Sequence, residues 1–382
     1  YGSDSDLKWA VAGRNAEKLA EVVNQRAGSF AADIPQLIAN SDDPDSISNL
    51  VARTKVICAV VGPYALYGEV VVAACAEHGT HYCDLTGEVQ WMRKMIDTYQ
   101  SKAEASGARI VHTCGFDSIP SDMGVFYLQK KMQETHGCHA STVKFRVGDT
   151  SGGVSGGTVA SMMNMMEEGK VDPSILDLIA DPYALNPQNM PTGEDGPDQA
   201  AAIYDADFKQ WTAPFVMAAI NTRVVRRSNA LMDYKYGSEF RYSESMLMGN
   251  GPGGYIKASL VAGMSGLLML LTAFKPTRSL LAPLMPSPGE GPSEEAIAKG
   301  YFNVEFCGIA SGESTKKLKV TVTGDRDPGY GATSKMLAES AVCLAKDSLS
   351  VAGGIWTPST AMGDLLLDRL EENAGMQFTV SD

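Results

Sequence analysis

An apolar run at residues 56–61, followed at once by Gly62-Pro63-Tyr64, constrains the fold of this chain more than any other segment. A continuous apolar run of this length predicts a strand buried on both faces, which is typical of a parallel sheet. A small-residue helix at 69–77 and a short strand at 80–83, which leads into Asp84, follow with little connecting chain. Ligands of open α/β sheets bind beyond the carboxyl ends of the strands, so the segments at 62–64 and 84–87 are predicted to lie at a ligand site.

Strands and helices alternate along the first third of the chain. The predicted strands are residues 8–12, 36–39, 56–61, 80–83 and 108–113, and the predicted helices are residues 16–24, 44–52, 69–77, 89–106 and 121–135. This alternation predicts an α/β fold with a Rossmann-type, doubly wound parallel sheet.

The pattern changes after Gly137. Alternating runs at 141–147, 301–310 and 317–323 predict the strands of a mixed or antiparallel sheet, and helices are predicted at 158–168, 332–348 and 359–372. Residues 181–207, rich in Pro, Gly and Asn, predict a long surface loop or lid. The predicted domains are therefore a dinucleotide-binding domain over 1–137, an inserted α+β domain for substrate or dimerisation over 138–328, and C-terminal helices over 329–382 that pack back on the first domain.

Residues 258–274 form an uncharged apolar stretch between Lys257 and Lys275. As a helix it would span about 25 Å, slightly less than the hydrocarbon core of a membrane. Three roles stay open: a helix buried in the core or in a homodimer interface, a peripheral contact with a membrane or lipid, and a true membrane span. Gly263 and Gly266 suit close helix packing in each case.

Charge and cysteine content exclude several classes of protein. A net charge of −13, from 32 basic and 45 acidic residues, argues against nucleic-acid binding. The seven scattered cysteines contain no Cys-x-x-Cys pair, which fits a reducing compartment. We expect a cytoplasmic protein, with membrane or lipid association left open. Because the chain starts without Met and enters a strand almost at once, we also expect an N-terminal truncation.

Gly13-Arg14-Asn15 closes the first predicted strand, where a dinucleotide-binding fold selects its cofactor. An acidic residue at this place binds the ribose hydroxyls of NAD, whereas an arginine favours a 2′-phosphate through its charge and forked donors. Arg14 therefore indicates NADP(H). The alternative is an arginine that is only solvated at a strand end.

Two further strand ends supply candidate site residues. In Val61-Gly62-Pro63-Tyr64, the glycine permits close backbone approach, the proline stiffens the turn, and the tyrosine would cover a nicotinamide or donate a proton. Cys114-Gly115-Phe116-Asp117 is predicted to lie at the same edge. Its residues are candidates for contact with the cofactor or for proton transfer. A plain tight turn and a turn-forming aspartate are the respective alternatives. Ser121 is predicted to cap the following helix.

Cys75, His78, His81 and Cys83 are spaced like metal ligands at first sight. The turn at Gly79-Thr80 ends the helix and separates the two pairs, and small cysteines are common in buried helices and strands. We therefore predict packing here and no metal site.

These motifs resemble the saccharopine dehydrogenase-like oxidoreductase family, in the branch that includes the trans-acting enoyl reductases and the lipid-droplet-associated animal proteins. The resemblance covers nearly the whole chain. It rests on Ala12-Gly13-Arg14-Asn15, Val61-Gly62-Pro63-Tyr64 with Tyr67-Gly68, His81-Tyr82-Cys83-Asp84-Leu85-Thr86-Gly87-Glu88, Cys114-Gly115-Phe116-Asp117-Ser118-Ile119-Pro120-Ser121-Asp122, and the segments at 151–158, 288–292, 329–330 and 356–358.

The resemblance implies an NADPH-dependent oxidoreductase of lipid or glycolipid metabolism, an enoyl reductase acting on the CH–CH bond of a lipid or polyketide acyl chain. Proton transfer would come from Tyr64 or from a water held by Asp117. The family's glycine-rich phosphate loop lies ahead of the Ala-Gly-Arg strand and is not in this sequence. Cofactor contacts would come from Gly13, Arg14, Asn15, Val61, Gly62, Pro63, Tyr64, Asp84, Gly87, Cys114, Gly115 and Phe116.

Two alternatives to an enoyl reductase stay open. A saccharopine-type amino-acid dehydrogenase would need a polar pocket with several cations, for which Arg223, Arg226 and Arg227 are the basic cluster in the second domain. A non-catalytic protein of lipid surfaces that keeps the fold is the second alternative.

Overall fold

A computed structural model describes residues 6–152, 156–273, 277, 291–312 and 316–381. Their strands are β1 Val11–Gly13, β2 Gln36–Ile38, β3 Val56–Ala59, β4 His81–Asp84, β5 Arg109–Val111, β6 Thr142–Ser151, β7 Ile203–Asp205, β8 Gln210–Ala213, β9 Arg241–Leu247, β10 Tyr301–Ile309, β11 Lys317–Gly324, β12 Gly354–Trp356 and β13 Met376–Ser381. Their helices are α1 Ala16–Ala27, α2 Pro44–Val51, α3 Tyr64–Tyr67, α4 Glu69–His78, α5 Val89–Ser106, α6 Ile119–His136, α7 Gly156–Val171, α8 Ser174–Ala180, α9 Ala218–Leu231, α10 Gly251–Ala273, α11 Glu294–Lys299, α12 Thr333–Lys346 and α13 Pro358–Asn373.

The first sheet is parallel and runs in the order β12-β5-β4-β3. Glycines with positive φ end the helices that cross between its strands, Gly79 after α4 (φ 74°) and Gly107 after α5 (φ 84°). A left-handed residue there turns the chain back into the next strand, and glycine adopts it without a Cβ clash. Strands β1 and β2 pair with each other in a separate two-stranded parallel sheet.

The second sheet has the order β13-β11-β10-β6-β9-β8-β7, and its one parallel pair among the described strands is β6 with β9. Helix α6 packs over this sheet, and its Leu128 belongs to the same buried cluster as Phe145 and Phe306 of the sheet. Because β6 to β11 of the second sheet lie in the chain between β5 and β12 of the first, the prediction of a parallel α/β layer with an inserted α+β domain is confirmed.

The C-terminal segment does more than the predicted packing of helices. It supplies β12 to the first sheet and β13 to the second, so it links the two layers through backbone hydrogen bonds. Neither short strand stands out from the sequence, because each is a minor run beside a long amphipathic helix.

Several sequence predictions are wrong in detail. The strand predicted at 56–61 to be buried on both faces ends at Ala59 and is not buried on both faces, since Cys58 is exposed. Val60 and Val61, which follow it, are 64% and 60% exposed. Ser121 does not cap a helix: α6 begins earlier, Ser118 is its N-cap residue, and Ser121 lies buried within the first turns.

The segment at 181–207, predicted as a long surface loop or lid, is held by ion pairs and contains β7. Asp195 pairs with Arg226, and Asp205 pairs with Arg146 at 2.6 Å. Helix α9, which carries Arg226, lies where the sequence analysis assigns no element. Asp195 and Asp198 of this surface segment pair with Arg226 and Arg223 of α9, and such pairing is what lets buried cations be tolerated.

The apolar stretch predicted at 258–274 belongs to the longer helix α10, and Phe274 lies outside the described residues. The interpretation as a core helix is wrong, because Leu260, Met264 and Met269 are more than half exposed. Its first turns pack on the protein through Ala258, which is fully buried.

Candidate active site

The carboxyl ends of β3, β4 and β5 meet at one edge of the first sheet. Ala59 pairs with Asp84, and Cys83 pairs with Val111, so the loops that follow these strands start at the same level. The structure therefore brings together three of the predicted motifs, at 61–64, 84–87 and 114–117.

Asp84 organises this edge from a fully buried position. Its Oδ1 accepts hydrogen bonds from the backbone N–H groups of Thr86, at 3.1 Å, and Thr113, at 3.0 Å. Its Oδ2 lies 2.7 Å from Nδ1 of His112, which is also buried. The Asp84 side chain thus stabilises the loops after β4 and β5 through these hydrogen bonds. His112, its third partner, is a site residue that the sequence analysis missed.

Glu88 is a second buried carboxylate that sequence reasoning missed. It accepts hydrogen bonds from the backbone N–H groups of Tyr64, at 2.8 Å, and Ala65, at 2.9 Å, and from Oγ of Ser161, at 2.7 Å. The first N–H groups of a helix have no partner within the helix, and a carboxylate suits them. Because Glu88 lies 24 residues after Tyr64 in sequence, no local signal identifies it as that partner. Glu88 holds the turn after Pro63 and joins it to α7 of the second domain.

Tyr64 is buried, and its hydroxyl is occupied. The hydroxyl donates to the backbone oxygen of Ala59 at 3.0 Å and accepts from the backbone N–H of Leu85 at 3.4 Å. The ring lies 5.4 Å from that of Trp91, and burial raises the pKa of Tyr64 well above its usual value. This environment disfavours the predicted role of Tyr64 as a proton donor.

Asp117 lies in the loop after β5, at the rim of this strand-end edge, and its side chain is half-buried. A Cβ added at Gly115 would lie 3.0 Å from its Oδ2, and one at Gly87 would lie 3.7 Å from its Oδ1, so two glycines leave room for it. Burial, with a smaller contribution from the charge of Asp84, raises the pKa of Asp117 to about 7. A carboxyl with such a pKa can hold and release a proton near neutral pH.

The second domain and the C-terminal segment provide the wall beside Asp117. The N–H of Phe116 donates to Oγ1 of Thr333 at 2.9 Å, and its ring meets that of Phe302 edge-on at 5.0 Å. The side chain of Cys114 is fully buried on the core side, so only its backbone faces the edge.

Gly13 ends β1, in the two-stranded sheet that is separate from the one carrying this edge, and Arg14 and Asn15 follow it. Asn15 caps α1 by accepting from the N–H of Lys18 at 3.0 Å, and Gly13 packs near Leu19. Arg14 is exposed and makes no hydrogen bond or ion pair with any residue that the structure describes. Its charge is therefore free to meet an anion.

The Cys and His residues that resemble metal ligands have separate partners. His78 Nε2 lies 2.8 Å from Oγ of Ser48, while both ring nitrogens of His81 contact Arg109. Cys75 and Cys83 are both fully buried in the core. Each residue is thus accounted for by local contacts.

The arginine cluster of α9 is buried and internally bound. Arg226 pairs with Asp195, Arg223 pairs with Asp198, and Arg227 donates to the backbone oxygen of Ile355 in β12 at 2.7 Å. A cavity of about 170 Å³ beside it is lined by three carboxylates, Asp195, Asp198 and Glu244, and by Arg226. The cluster serves the fold, and its surroundings are unsuited to a carboxylate ligand.

Comparison with known proteins agrees with this architecture. Residues 2–111 match the saccharopine dehydrogenase NADP-binding domain, which confirms the predicted NADP(H) cofactor. The chain is 39% identical to a Mycobacterium tuberculosis protein provisionally named a trans-acting enoyl reductase, over 96% of this chain and 89% of that protein. It is 37% identical to the trans-acting enoyl reductase of Mycobacterium ulcerans, over 97% and 90% of the two chains. A saccharopine dehydrogenase from Saccharomyces cerevisiae shares the fold, with a TM-score of 0.53, 10% identity and coverage of 100% and 96%.

We expect Glu88→Gln to loosen the turn at 63–65. The amide keeps one acceptor but turns an NH₂ group toward a backbone N–H, so a buried donor is left unsatisfied. The free energy of unfolding should fall by about 1–3 kcal/mol, measured by thermal or urea unfolding. Glu77→Gln, an exposed control on α4, should leave the midpoint unchanged. Equal midpoints for both variants would contradict the role given to Glu88.

Proposed function

The chain belongs to the trans-acting enoyl reductase family and carries a saccharopine dehydrogenase NADP-binding domain, and from this premise we propose that it reduces the carbon–carbon double bond of a lipid-like acyl substrate. It is an NADPH-dependent oxidoreductase. The observation that carries the proposal is Asp117, a protonatable carboxyl at the rim of the strand-end edge.

The residues present fit a dinucleotide. Val60 and Val61 follow β3 and form an exposed apolar surface, which suits contact with a flat aromatic ring. Gly62 and Gly87 keep the backbone of two neighbouring loops open to close approach. Arg14, exposed and without a partner among the described residues, suits the 2′-phosphate of NADP(H).

The reaction breaks the π bond of the substrate by adding a hydride at the β-carbon and a proton at the α-carbon. When bound, NADPH supplies the hydride and leaves as NADP⁺. Asp117 holds the proton for the α-carbon and donates it directly or through a water. Asp84 and Glu88 fix the loops from which the edge is built, and Phe116 with Phe302 offers an apolar wall to the acyl chain.

The saccharopine-type alternative is disfavoured by the arginines that it would need. Arg223 and Arg226 are each paired with an aspartate, and Arg227 is bound to backbone oxygens. Their charges are used within the protein and are not presented to the carboxylates of an amino-acid substrate.

The proposal is tested on the protein as its gene encodes it. NADPH oxidation is followed by absorbance with an α,β-unsaturated acyl thioester, and in parallel with an amino acid plus a 2-oxo acid. We expect turnover with the enoyl thioester alone. Turnover with only the amino-acid pair would overturn the proposal in favour of C–N chemistry, and NADPH binding without turnover on either would favour a non-catalytic protein.

Asp117→Asn should lower kcat for enoyl reduction by roughly 100- to 10,000-fold, because the amide cannot donate the proton. The wild-type rate should fall as pH rises through about 7, since the donor must be protonated and its pKa lies there. The variant should lose this limb of the pH profile and keep its affinity for NADPH. Asp368→Asn, exposed on α13, is the control and should keep both rate and profile. An unchanged profile in Asp117→Asn would rule out this carboxyl as the donor.

Arg14→Ala should raise the Kd for NADPH by roughly 10- to 100-fold, the loss expected for hydrogen bonds to a charged phosphate. The Kd for NADH should stay the same, because NADH has no 2′-phosphate. Both constants are measured by cofactor fluorescence. Arg53→Ala, which removes another exposed arginine, should change neither constant. Equal weakening of NADPH and NADH by Arg14→Ala would contradict 2′-phosphate recognition.

A further inference from the structure

Most residues of helix α10 are exposed to solvent. From Gly263 to Leu270 every residue is exposed, and the larger side chains among them are apolar. Met264 is 70% exposed and Leu267 is 54% exposed. Apolar surface of this extent costs free energy in water, so a partner that removes it from water is expected.

The bare stretch is exposed on every side of the helix. Eight consecutive residues, 263–270, make more than two turns at about 3.6 residues per turn. A Cβ added at Gly263 or Gly266 would meet no atom within 4 Å. A second copy of the chain would cover one stripe of such a helix and leave the others in water, whereas hydrocarbon chains surround it completely.

The base of the helix carries aromatic residues suited to a membrane–water interface. Tyr255 of α10 lies 4.7 Å from Trp211 of β8, and Trp211 lies 5.6 Å from Tyr204 of β7, measured between ring centroids. Both tyrosines are about half exposed, and Lys257 beside them is exposed. Trp and Tyr prefer the headgroup level, where an apolar ring and a polar tip are both satisfied, and a lysine can reach lipid phosphates there.

The free length of α10 decides how deep it can reach. By length and apolarity Gly251–Thr272 is long enough to cross a membrane, but its first turns are packed on the protein through Ala258 and Tyr255. Its fully exposed part, residues 263–270, extends about 12 Å at 1.5 Å per residue, and Thr272 beyond it is buried. One leaflet contributes about 15 Å of a hydrocarbon core of about 30 Å. The exposed part therefore fits within one leaflet and does not reach across the second.

We propose that α10 anchors this protein in one leaflet of a lipid bilayer, with Tyr204, Trp211 and Tyr255 at headgroup level. The driving force is burial of apolar side chains, and the protein as a whole is acidic, with a net charge of −13. Binding should therefore occur on neutral phosphatidylcholine vesicles and persist at high salt, unlike attraction of a basic surface to anionic lipid. The anchor does not depend on the reaction proposed above.

The test is flotation of the protein with phosphatidylcholine vesicles in a density gradient. Wild-type protein should float with the vesicles at low and high salt. A variant with Leu260→Gln, Met264→Gln, Leu267→Gln and Leu270→Gln should partition on the order of 100-fold less, since four side chains lose their transfer to hydrocarbon. Because these side chains are exposed, its thermal midpoint and its Kd for NADPH should match the wild type. Val171→Gln, at a residue 88% exposed on α7, is the matched control and should float like the wild type.

Depth is measured by fluorescence quenching with phosphatidylcholines that carry bromine at defined acyl positions. The signal that Met264→Trp adds over the wild type should be quenched most by bromines within the acyl region. Quenching of the added tryptophan only by shallow bromines would contradict insertion of the helix.

Two other results would overturn the proposal. The first is wild-type protein that remains unbound in phosphatidylcholine flotation. The second is a discrete lipid-free dimer, seen by analytical ultracentrifugation, that the four-glutamine variant converts to monomers while neither protein floats. In that case a second copy of the chain would cover α10.

Discussion

The candidate site depends on the burial of the Asp84 carboxylate. A buried carboxylate is tolerated only when hydrogen bonds replace its hydration, and here the N–H groups of Thr86 and Thr113 and the ring of His112 do so. These partners belong to the segments after β4 and β5, so satisfying one side chain sets the relative position of two loops. Asp117 follows four residues after Thr113, and its place at the rim is a consequence of that arrangement.

Three carboxylates near this edge have different roles because their surroundings differ. Asp84 and Glu88 each accept several hydrogen bonds and act as fixed points of the backbone. Asp117 lies at the rim, and burial raises its pKa to about 7. Where the environments of neighbouring acids move their pKa values apart, one acid can have a structural role while another transfers a proton. The hydroxyl of Tyr64 is hydrogen-bonded to the backbone of Ala59, so we assign Tyr64 a structural role.

The parts of the site that were predictable depend on local sequence. An apolar run followed by glycine predicts a strand and its end, which placed Gly62 and Gly115 correctly at one edge. The parts that were missed depend on distant residues. Arg226 suggests an exposed charge until Asp195, far from it in sequence, is found beside it. Glu88 follows a recognisable motif, but nothing in the sequence near it indicates that it will bind the N–H of Tyr64 and Ser161 of the inserted domain.

The sequence by itself determined the alternating strands and helices of the first part of the chain, the doubly wound class with its inserted domain, and NADP(H) as the cofactor. Periodicity, turn residues and the residue at a strand end are local properties, so they can be identified along the chain. Only the tertiary structure decided that Tyr64 is buried while Asp117 is partly exposed, and that residues 263–270 of α10 are exposed. The exposure and hydrogen bonding of a side chain depend on what packs against it from distant parts of the chain. Those long-range contacts cannot be identified from one sequence without its fold.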